Sequence, residues 1–193
     1  MTTSDVPALS TVAGRRRLAP GDRAPRTDLI ALDGAPIALP DPAALVHLQF
    51  RRFAGCPVCN LHLRQVAARV DELRAVGVRE VAVFHSEAAT MRPFQGDLPF
   101  DVVADPTRAL YRRFGVEAGW RSILDPRAWG AMLRGMFGRW SMRRGEGGHL
   151  GLPADFLIAP DGAIVAARYG RHAADHWSVD DVLALTAAHR AAR

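Results

Sequence analysis

The hydrophobic pattern divides the chain into short apolar runs and one long amphipathic segment. The first strongly apolar run, residues 44–50 (ALVHLQF), predicts a central strand. After it, five apolar side chains recur every three or four residues and predict a helix over Val58–Val76, with Pro57 in its first turn and Gly77 at its end. The five are Cys59, Leu63, Val66, Val70 and Leu73.

Similar patterns predict the remaining elements. Hairpins are expected at residues 28–39, around Asp33-Gly34, and at residues 154–169, around Pro160-Asp161-Gly162. Ser86, Asp105 and Ser178 each precede a helical pattern and are predicted N-caps; Asp181 completes a capping box with Ser178. Further strands are predicted at residues 78–85 and 100–104, and short helices at residues 87–94 and 106–114.

The order of these elements predicts an α/β fold. It reads β-β-β-α-β-α-β-α, an insertion, then β-β-α, which favours a mixed sheet with helices on both faces. Residues 1–26 are rich in Pro, Gly, Arg and Ser and are predicted to form a mobile or loosely docked arm. Residues 27–193 then form one domain, interrupted by a helical insertion at about 117–152.

Composition and charge narrow the function. The chain has 193 residues, is 49% hydrophobic and carries a formal net charge of +5, which suits a single globular domain. Residues 1–26 contain five arginines and two acids, and residues 117–148 contain six arginines and three acids, so the rest is nearly neutral. A nucleic-acid partner is therefore not expected. Because the sequence contains no lysine, a Schiff-base lysine and a phosphate-loop lysine are excluded.

The chain has no apolar run of transmembrane length and no secretory signal pattern, so a cytoplasmic location without a membrane span is expected. Its two cysteines, Cys56 and Cys59, are three residues apart. In a reducing compartment this spacing indicates redox chemistry or metal binding rather than a structural disulfide.

The cysteines fall where a strand passes into a helix. Cys56 is predicted at or beside the N-cap, where unpaired N–H groups and the helix dipole favour a thiolate. Pro57 stiffens the turn, and Gly55 allows a substrate to approach closely. We expect Cys56 to attack and Cys59, one turn later on the buried face, to resolve the product as a disulfide.

Two other interpretations of the pair remain open. The thiols could be buried and inert, or they could bind zinc together with His172 and His176, although the long gap is unlike zinc-finger spacing. His172 and His176 could equally be exposed loop residues, one of them paired with Asp175.

Three nearby side chains are candidates for supporting roles. Arg51 and Arg52 precede the cysteines, and either could stabilise a thiolate or a developing negative oxygen. In an alternating strand only one of them would face the site, and we favour Arg52. The two could equally form a solvated charge pair. His62 is expected to be an exposed or capping histidine rather than a proton shuttle.

A second amphipathic helix is predicted at residues 125–140, with two tryptophans on its apolar stripe. It could pack on its own domain, form a wall beside Cys56, or contact a membrane surface or a partner. An exposed stripe of this size would be unusual, so we expect it to be covered, with a homodimer as one way to do so.

Several stretches together resemble the redoxin superfamily, and in particular its peroxiredoxin-like branch, often labelled AhpC/TSA-related, which includes the prostamide/prostaglandin F synthase-like proteins. They are GDRAPRTDLIAL, RRFAGCPVCNLHL, LPFDVVADPTRALYRRFGV, LPADFLIAPDGAIVAARYG and DHWSVDDVLAL. The resemblance implies a thioredoxin-like fold, an antioxidant thiol-dependent oxidoreductase that reduces hydroperoxides or disulfides, and a thiol reductant such as thioredoxin. We expect no cofactor and no bound metal.

The chain departs from the peroxiredoxin pattern in two places. Gln49 and Phe53 stand where peroxiredoxins have Pro and Thr/Ser, so the hydroxyl that would hold a peroxide oxygen is missing there. Pro153 resembles the cis-proline that faces the cysteine pair in thioredoxins, which favours disulfide exchange, and we expect it to be cis. The alternative function is a non-catalytic binding module on the same fold, with the cysteines inert or bound to zinc.

Overall fold

The computed structural model describes residues 16–116 and 152–192. The strands are β1 (Thr27–Ile30), β2 (Pro36–Leu39), β3 (Leu45–Phe50), β4 (Val78–Phe84), β5 (Asp101–Ala104), β6 (Ala154–Ile158) and β7 (Ile164–Tyr169). The helices are α1 (Pro57–Ala67), α2 (Val70–Ala75), α3 (Ala88–Gln95), α4 (Ala109–Arg113) and α5 (Val179–Ala191). Most predicted elements are confirmed to within one or two residues.

The predicted mixed sheet is confirmed. Its strand order is β5-β4-β3-β6-β7, in which β3, β4 and β5 are parallel and β6 and β7 run antiparallel to their neighbours. β3 is central and every residue of it is buried, as expected for a strand covered on both faces. β1 and β2 form the predicted early hairpin as a separate antiparallel pair.

Helices cover both faces of the sheet, as predicted. On one face Val46, Leu48 and Phe50 of β3 pack with α4 and the hairpin. On the other face the apolar stripes of α1 and α2 pack on β4, and α5 packs on β6 and β7. The cysteine pair belongs to this second face, since Cys56 and Cys59 pack with Phe84 of β4.

The long helix predicted over Val58–Val76 is wrong in one respect, because the chain forms two helices with a break at Ala68 and Arg69. At Arg69 the backbone leaves the helical region, with φ −127° and ψ 15°. The Arg69 guanidinium there pairs with Glu72 and with Asp180 of α5. These contacts and the burial of the apolar stripe on both sides of the break favour the interrupted helix, although local periodicity favours a continuous one.

Ser86 is not the N-cap of α3, contrary to the prediction. Glu87 occupies that position, and no side chain caps it. The Ser86 hydroxyl instead accepts a hydrogen bond of 3.0 Å from the backbone N–H of Ala54, in the loop that carries the cysteines. The polar side chain is thus used by the tertiary structure rather than by the helix it precedes.

Asp105 caps α4 from farther away than predicted. The helix begins at Ala109, after a turn in which Arg108 has a left-handed backbone with φ 56°. Across this turn the Asp105 carboxylate accepts hydrogen bonds from the N–H groups of Ala109, Leu110 and Tyr111. A carboxylate therefore still satisfies the free N–H groups of the helix, as a cap does.

Two other predicted turns and caps are confirmed. Gly162, with φ +91°, supplies the left-handed position in the turn between β6 and β7. Ser178 and Asp181 form the capping box at the start of α5.

The predicted arm and insertion are described only in part. Residues 16–26 lie against the domain: the Gly21 N–H donates to the Ile164 carbonyl, and the Leu18 N–H donates to the Tyr169 hydroxyl. Residues 1–15 and 117–151, including the helix predicted at 125–140, lie outside the described residues. Within the described ranges, no helix is both long and apolar enough to cross a membrane.

Replacing Asp105 by Ala should destabilise the protein by about 1–2 kcal/mol, because three N–H groups lose their acceptor. Urea unfolding monitored by circular dichroism would measure the change. Asp97→Ala, which removes one exposed salt bridge to Arg64, is the control and should cost less than about 1 kcal/mol. Equal effects of the two substitutions would contradict the capping role.

Candidate functional site

The cysteine pair lies at the N-terminus of α1, directly after β3. The chain turns between Phe53 and Cys56, whose N–H donates to the Phe53 carbonyl at 3.0 Å. Cys56 is the N-cap residue with an extended backbone, and Pro57 begins the helix. The predicted position of the pair, with Gly55 in the turn, is confirmed.

The two sulfurs are close enough to exchange a bond. Cys56 Sγ and Cys59 Sγ are 2.9 Å apart, and both cysteines are free. Each residue is only 1% exposed. A disulfide between them needs a small movement, because an S–S bond is about 2 Å long.

A frame of side-chain amides holds the loop that carries the cysteines. Asn60 donates through Nδ2 to the carbonyls of Ala54 and Cys56, at 2.7 and 3.0 Å. Gln95 of α3 donates through Nε2 to the Ala54 carbonyl at 2.8 Å and to Asn60 Oδ1 at 2.6 Å. Together with the Ser86 hydroxyl, these bonds fix the loop backbone.

Sequence reasoning missed this frame. Asn60, Gln95 and Ser86 are buried polar residues, yet they come from two helices and a loop that are far apart in the chain. The one local signal is that Asn60 directly follows Cys59 on the first turn of a helix.

The cysteine pair loses one proton easily and holds the other. Burial of Cys59 opposes its ionisation, but the hydrogen bond from Cys56 and the charge of Arg52 outweigh it and lower the pKa of Cys59 to about 6. The hydrogen bond with Cys59, together with burial, raises the pKa of the Cys56 thiol. Once the first proton is lost, one negative charge is shared by the pair, and Cys59 is its favoured site.

The sequence-based expectation places the thiolate on Cys56, at the helix N-cap. The helix N-terminus is near both sulfurs, because Cys56 is the N-cap and Cys59 lies in the first turn. The pKa values of the two thiols differ because of the hydrogen bond along the 2.9 Å between the sulfurs, which only one of the two thiols can donate. Sequence position does not decide which thiol donates it.

Arg52 and Arg51 are both buried, so a solvated charge pair is wrong. The charge of each lowers the pKa of Cys59, whereas the sequence predicts that only one of them faces the site. β3 ends at Phe50, and the strand alternation on which that expectation rested does not extend to these residues. Arg52 is buried and lies over the Phe53 ring, and its charge favours the thiolate of either cysteine. Arg51 also lowers the pKa of Cys59, but from a different environment.

Arg51 is the centre of a buried charged cluster that reaches α1, the helix of the cysteine pair, through His62. Its guanidinium donates to Asp155 Oδ1 at 2.7 Å and lies 3.1 Å from His62 Nε2. It also donates to the side-chain carbonyl of Gln49. Arg51 and Asp155 have side chains that are 0% exposed. The residue that replaces a family proline, Gln49, thus serves as a partner for a buried charge.

The cluster continues across neighbouring strands. Gln49 lies opposite Asp155 on β6, and His47 lies opposite Glu80 on β4. Glu80 accepts from the Gln49 amide and lies 2.8 Å from His47 Nδ1. We call these residues the charge cluster; its members are His47, Gln49, Arg51, His62, Glu80 and Asp155.

The histidines of this region have shifted acidities. Burial opposes the protonation of His47, but the charges of Glu80 and Asp155 outweigh it and raise its pKa to about 9. Burial and the charge of Arg51 lower the pKa of His62. His62 is buried and its ring stacks on that of His176 with 3.6 Å between the centroids, so the expectation of an exposed or capping residue is wrong.

The ligand set considered for zinc does not converge. His176 stacks on His62, and Asp175 accepts from Arg168 and from the Arg171 N–H instead of pairing with a histidine. In residues 16–116 and 152–192, no three His, Cys, Asp or Glu side chains form a group that could hold a metal ion.

The expected cis peptide at Pro153 is wrong. Within the described residues, the one cis peptide bond joins Leu39 and Pro40. Pro153 is buried and directly precedes β6, and its carbonyl accepts a hydrogen bond of 2.8 Å from the Gly170 N–H. The extended backbone of a strand end accommodates a trans proline.

Comparison with known proteins places this geometry in a family. The profile of the AhpC/TSA antioxidant enzymes matches residues 65–172, a range that begins six residues after Cys59. A protein of Mycobacterium tuberculosis that is named as a peroxiredoxin is 26% identical over 164 residues, covering 83% of this chain and 90% of that protein.

Solved structures share the fold. Peroxidoxin BcpB from Mycobacterium tuberculosis superposes with a TM-score of 0.64 at 17% identity, over 92% of this chain and 99% of the other. The reduced 2-Cys peroxiredoxin of Plasmodium vivax gives 0.66 at 15% identity, over 90% and 83%. A Chlorobium tepidum structure that carries the name of the thiol:disulfide interchange protein DsbE gives 0.58 at 22% identity, over 88% and 99%.

Replacing Arg52 by Gln should raise the pKa of the cysteine pair, since a positive charge that favours the thiolate is lost. The thiolate absorbance of the parent should rise through about pH 6, and that of the variant at higher pH. Alkylation by iodoacetamide should follow the same profiles. Arg64→Gln, on the outer face of α1, is the control and should leave the profile in place; an unchanged R52Q profile would contradict the assigned influence of Arg52.

Replacing His47 by Gln should change how stability depends on pH. The pKa of folded His47 is about 9, above its ordinary value of 6.5, so its charge stabilises the fold fully below pH 6.5 and this contribution is lost as the pH rises through 9. The free energy by which the parent exceeds H47Q, measured by urea unfolding, should therefore shrink across that range. A difference that stays constant with pH would show that His47 is not charged in the folded protein.

Proposed function

Because the chain belongs to the AhpC/TSA antioxidant enzyme family, we propose that it is a thiol-dependent oxidoreductase that reduces hydroperoxides or disulfides with Cys56 and Cys59. The observation that carries the proposal is the 2.9 Å between the two free sulfurs at the N-terminus of α1. The peroxiredoxin-like family and the thioredoxin-like fold agree with it.

In the first step, Cys56 acts as the nucleophile. Its sulfur attacks the outer oxygen of a hydroperoxide, the O–O bond breaks, and the product leaves as an alcohol or water once it takes a proton. Cys56 is then a sulfenic acid, oxidised by two electrons. With a disulfide substrate, the same attack on sulfur releases one thiol and leaves a mixed disulfide.

In the second step, Cys59 resolves the intermediate. Its sulfur attacks Cys56 Sγ and displaces hydroxide, which leaves as water after protonation, or displaces the second substrate thiol. The product is the disulfide between residues 56 and 59. Two electrons from an external dithiol, such as a thioredoxin, or from two glutathione molecules return the pair to thiols, in a compartment such as the cytoplasm.

The shared proton is compatible with this order of events. In the resting pair the charge lies on Cys59, and the Cys56 thiol donates to it. Transfer of this proton along the 2.9 Å between the sulfurs makes Cys56 the thiolate and Cys59 the thiol. The pair can thus supply a nucleophile without an outside base.

Phe53 limits the peroxide reaction. It stands where peroxiredoxins carry a hydroxyl residue, so the chain lacks that donor for the peroxide oxygen. Arg52, whose charge already favours the thiolate, is the residue we propose for stabilising the developing negative oxygen. Disulfide reduction needs no such donor and is therefore tested beside the peroxide reaction.

The reduced protein should consume hydrogen peroxide or an organic hydroperoxide, or reduce insulin disulfides, with a thioredoxin or glutathione system as donor. Cys56→Ser should lose this activity, and Cys59→Ser should trap the sulfenic acid or mixed disulfide on Cys56, identified by mass spectrometry. If neither substrate is reduced, or if C56S is as active as the parent, the proposal fails. Bound zinc at one per chain would favour a binding module instead.

A further inference from the structure

The charge cluster contains an ion pair that the proposed reaction does not use. Arg51 and Asp155 are both fully buried, and their nearest N and O atoms are 2.7 Å apart. Removing two charges from water costs several kcal/mol per ion, so such a pair is seldom a source of net stability. Its place beside His62, one turn after Cys59 on α1, calls for another explanation.

Asp155 is held from two directions. Its Oδ1 accepts from Arg51, and its Oδ2 accepts from the backbone N–H of Trp177 at 3.1 Å, just before α5. The carboxylate is therefore fixed between β6 and the start of α5. Arg51 is fixed in turn, because Asp155, Gln49 and His62 surround its terminal nitrogen.

The pair lies against the helix that carries Cys59, because the Arg51 guanidinium is 3.1 Å from His62 Nε2, one turn after Cys59 on α1. Arg51 is one of the groups that lower the pKa of Cys59, and Asp155 is bonded to that guanidinium. The other charged or titratable groups that face the cysteines or the pair come from several elements. They are Arg52 after β3, His62 on α1, Tyr111 on α4, His176 before α5, and His47 and Glu80 of the charge cluster.

We propose that Asp155 is a positioning residue that, through Arg51, limits the acidity of the cysteine pair and keeps the dithiol of residues 56 and 59 the stronger reductant. The inference rests on the proposed function. Without the carboxylate, Arg51 would keep its positive charge but lose the counter-charge of its ion pair. It would then favour a thiolate more strongly, in addition to Arg52. A thiolate stabilised in this way favours the reduced state and makes the disulfide a stronger oxidant.

Replacing Asp155 by Asn tests the proposal by a property that a merely structural residue would not shift in this direction. We expect the thiolate titration to move down by about one pH unit, that is, about tenfold more thiolate at a pH below the parent's midpoint. The equilibrium with glutathione should shift about tenfold toward the dithiol, a potential about 30 mV higher. Asp97→Asn, beside Arg64 on the outer face of α1, is the matched control and should change neither value.

A titration that stays in place or moves up in D155N, with D97N unchanged, would overturn the proposal. D155N could fail to fold, because Arg51 would be left buried without its counter-charge. The double variant Arg51→Gln with Asp155→Asn, which removes both charges, then decides. Since Arg51 is the member of the pair that lowers the pKa of Cys59, the thiolate titration of the double variant should move to higher pH. No movement, or a movement to lower pH, would overturn the proposal.

The outcome separates this proposal from the proposed function. The thiol titration requires no turnover of peroxide or disulfide. If the parent reduces neither substrate while D155N still acidifies the thiols, the proposed function fails and the positioning role stands. If the parent is active and the thiols do not respond to D155N, the positioning role fails alone.

Discussion

The buried guanidinium of Arg51 is the constraint around which this molecule is arranged. A cation without solvent needs hydrogen-bond acceptors and a counter-charge at fixed positions. They come from β6, from the preceding residues of β3 and from α1, namely Asp155, Gln49 and His62. Because three elements meet at one charged group, the register of β3 with β6 and the position of α1 on the sheet are set together.

The cysteine loop depends on a second, uncharged set of contacts. The carbonyl of Ala54 accepts from both Asn60 and Gln95, and its N–H donates to Ser86. These bonds leave little freedom at the turn before α1, so the two sulfurs stay 2.9 Å apart at the helix N-terminus. Preorganisation of this kind lowers the cost of forming a short disulfide ring.

The acidity of the cysteine pair is a balance between opposing effects. Burial resists charge at both sulfurs, while Arg52, Arg51 and the shared hydrogen bond favour one thiolate. A second negative charge on the pair is opposed by the first, which is why the pKa of Cys56 rises as that of Cys59 falls. The acidity therefore belongs to the arrangement of the pair rather than to either residue.

Local periodicity, capping and turn chemistry are enough to predict the α/β fold, the late hairpin, the capping box at Ser178 and the position of Cys56 at a helix start. Contacts between distant parts of the chain set the break at Arg69, the hydrogen bond of Ser86, the trans peptide before Pro153 and the burial of His62. The same holds for the charge cluster. Its members occupy separate strands and a helix, so their contacts depend on strand register and helix packing, which no local pattern specifies.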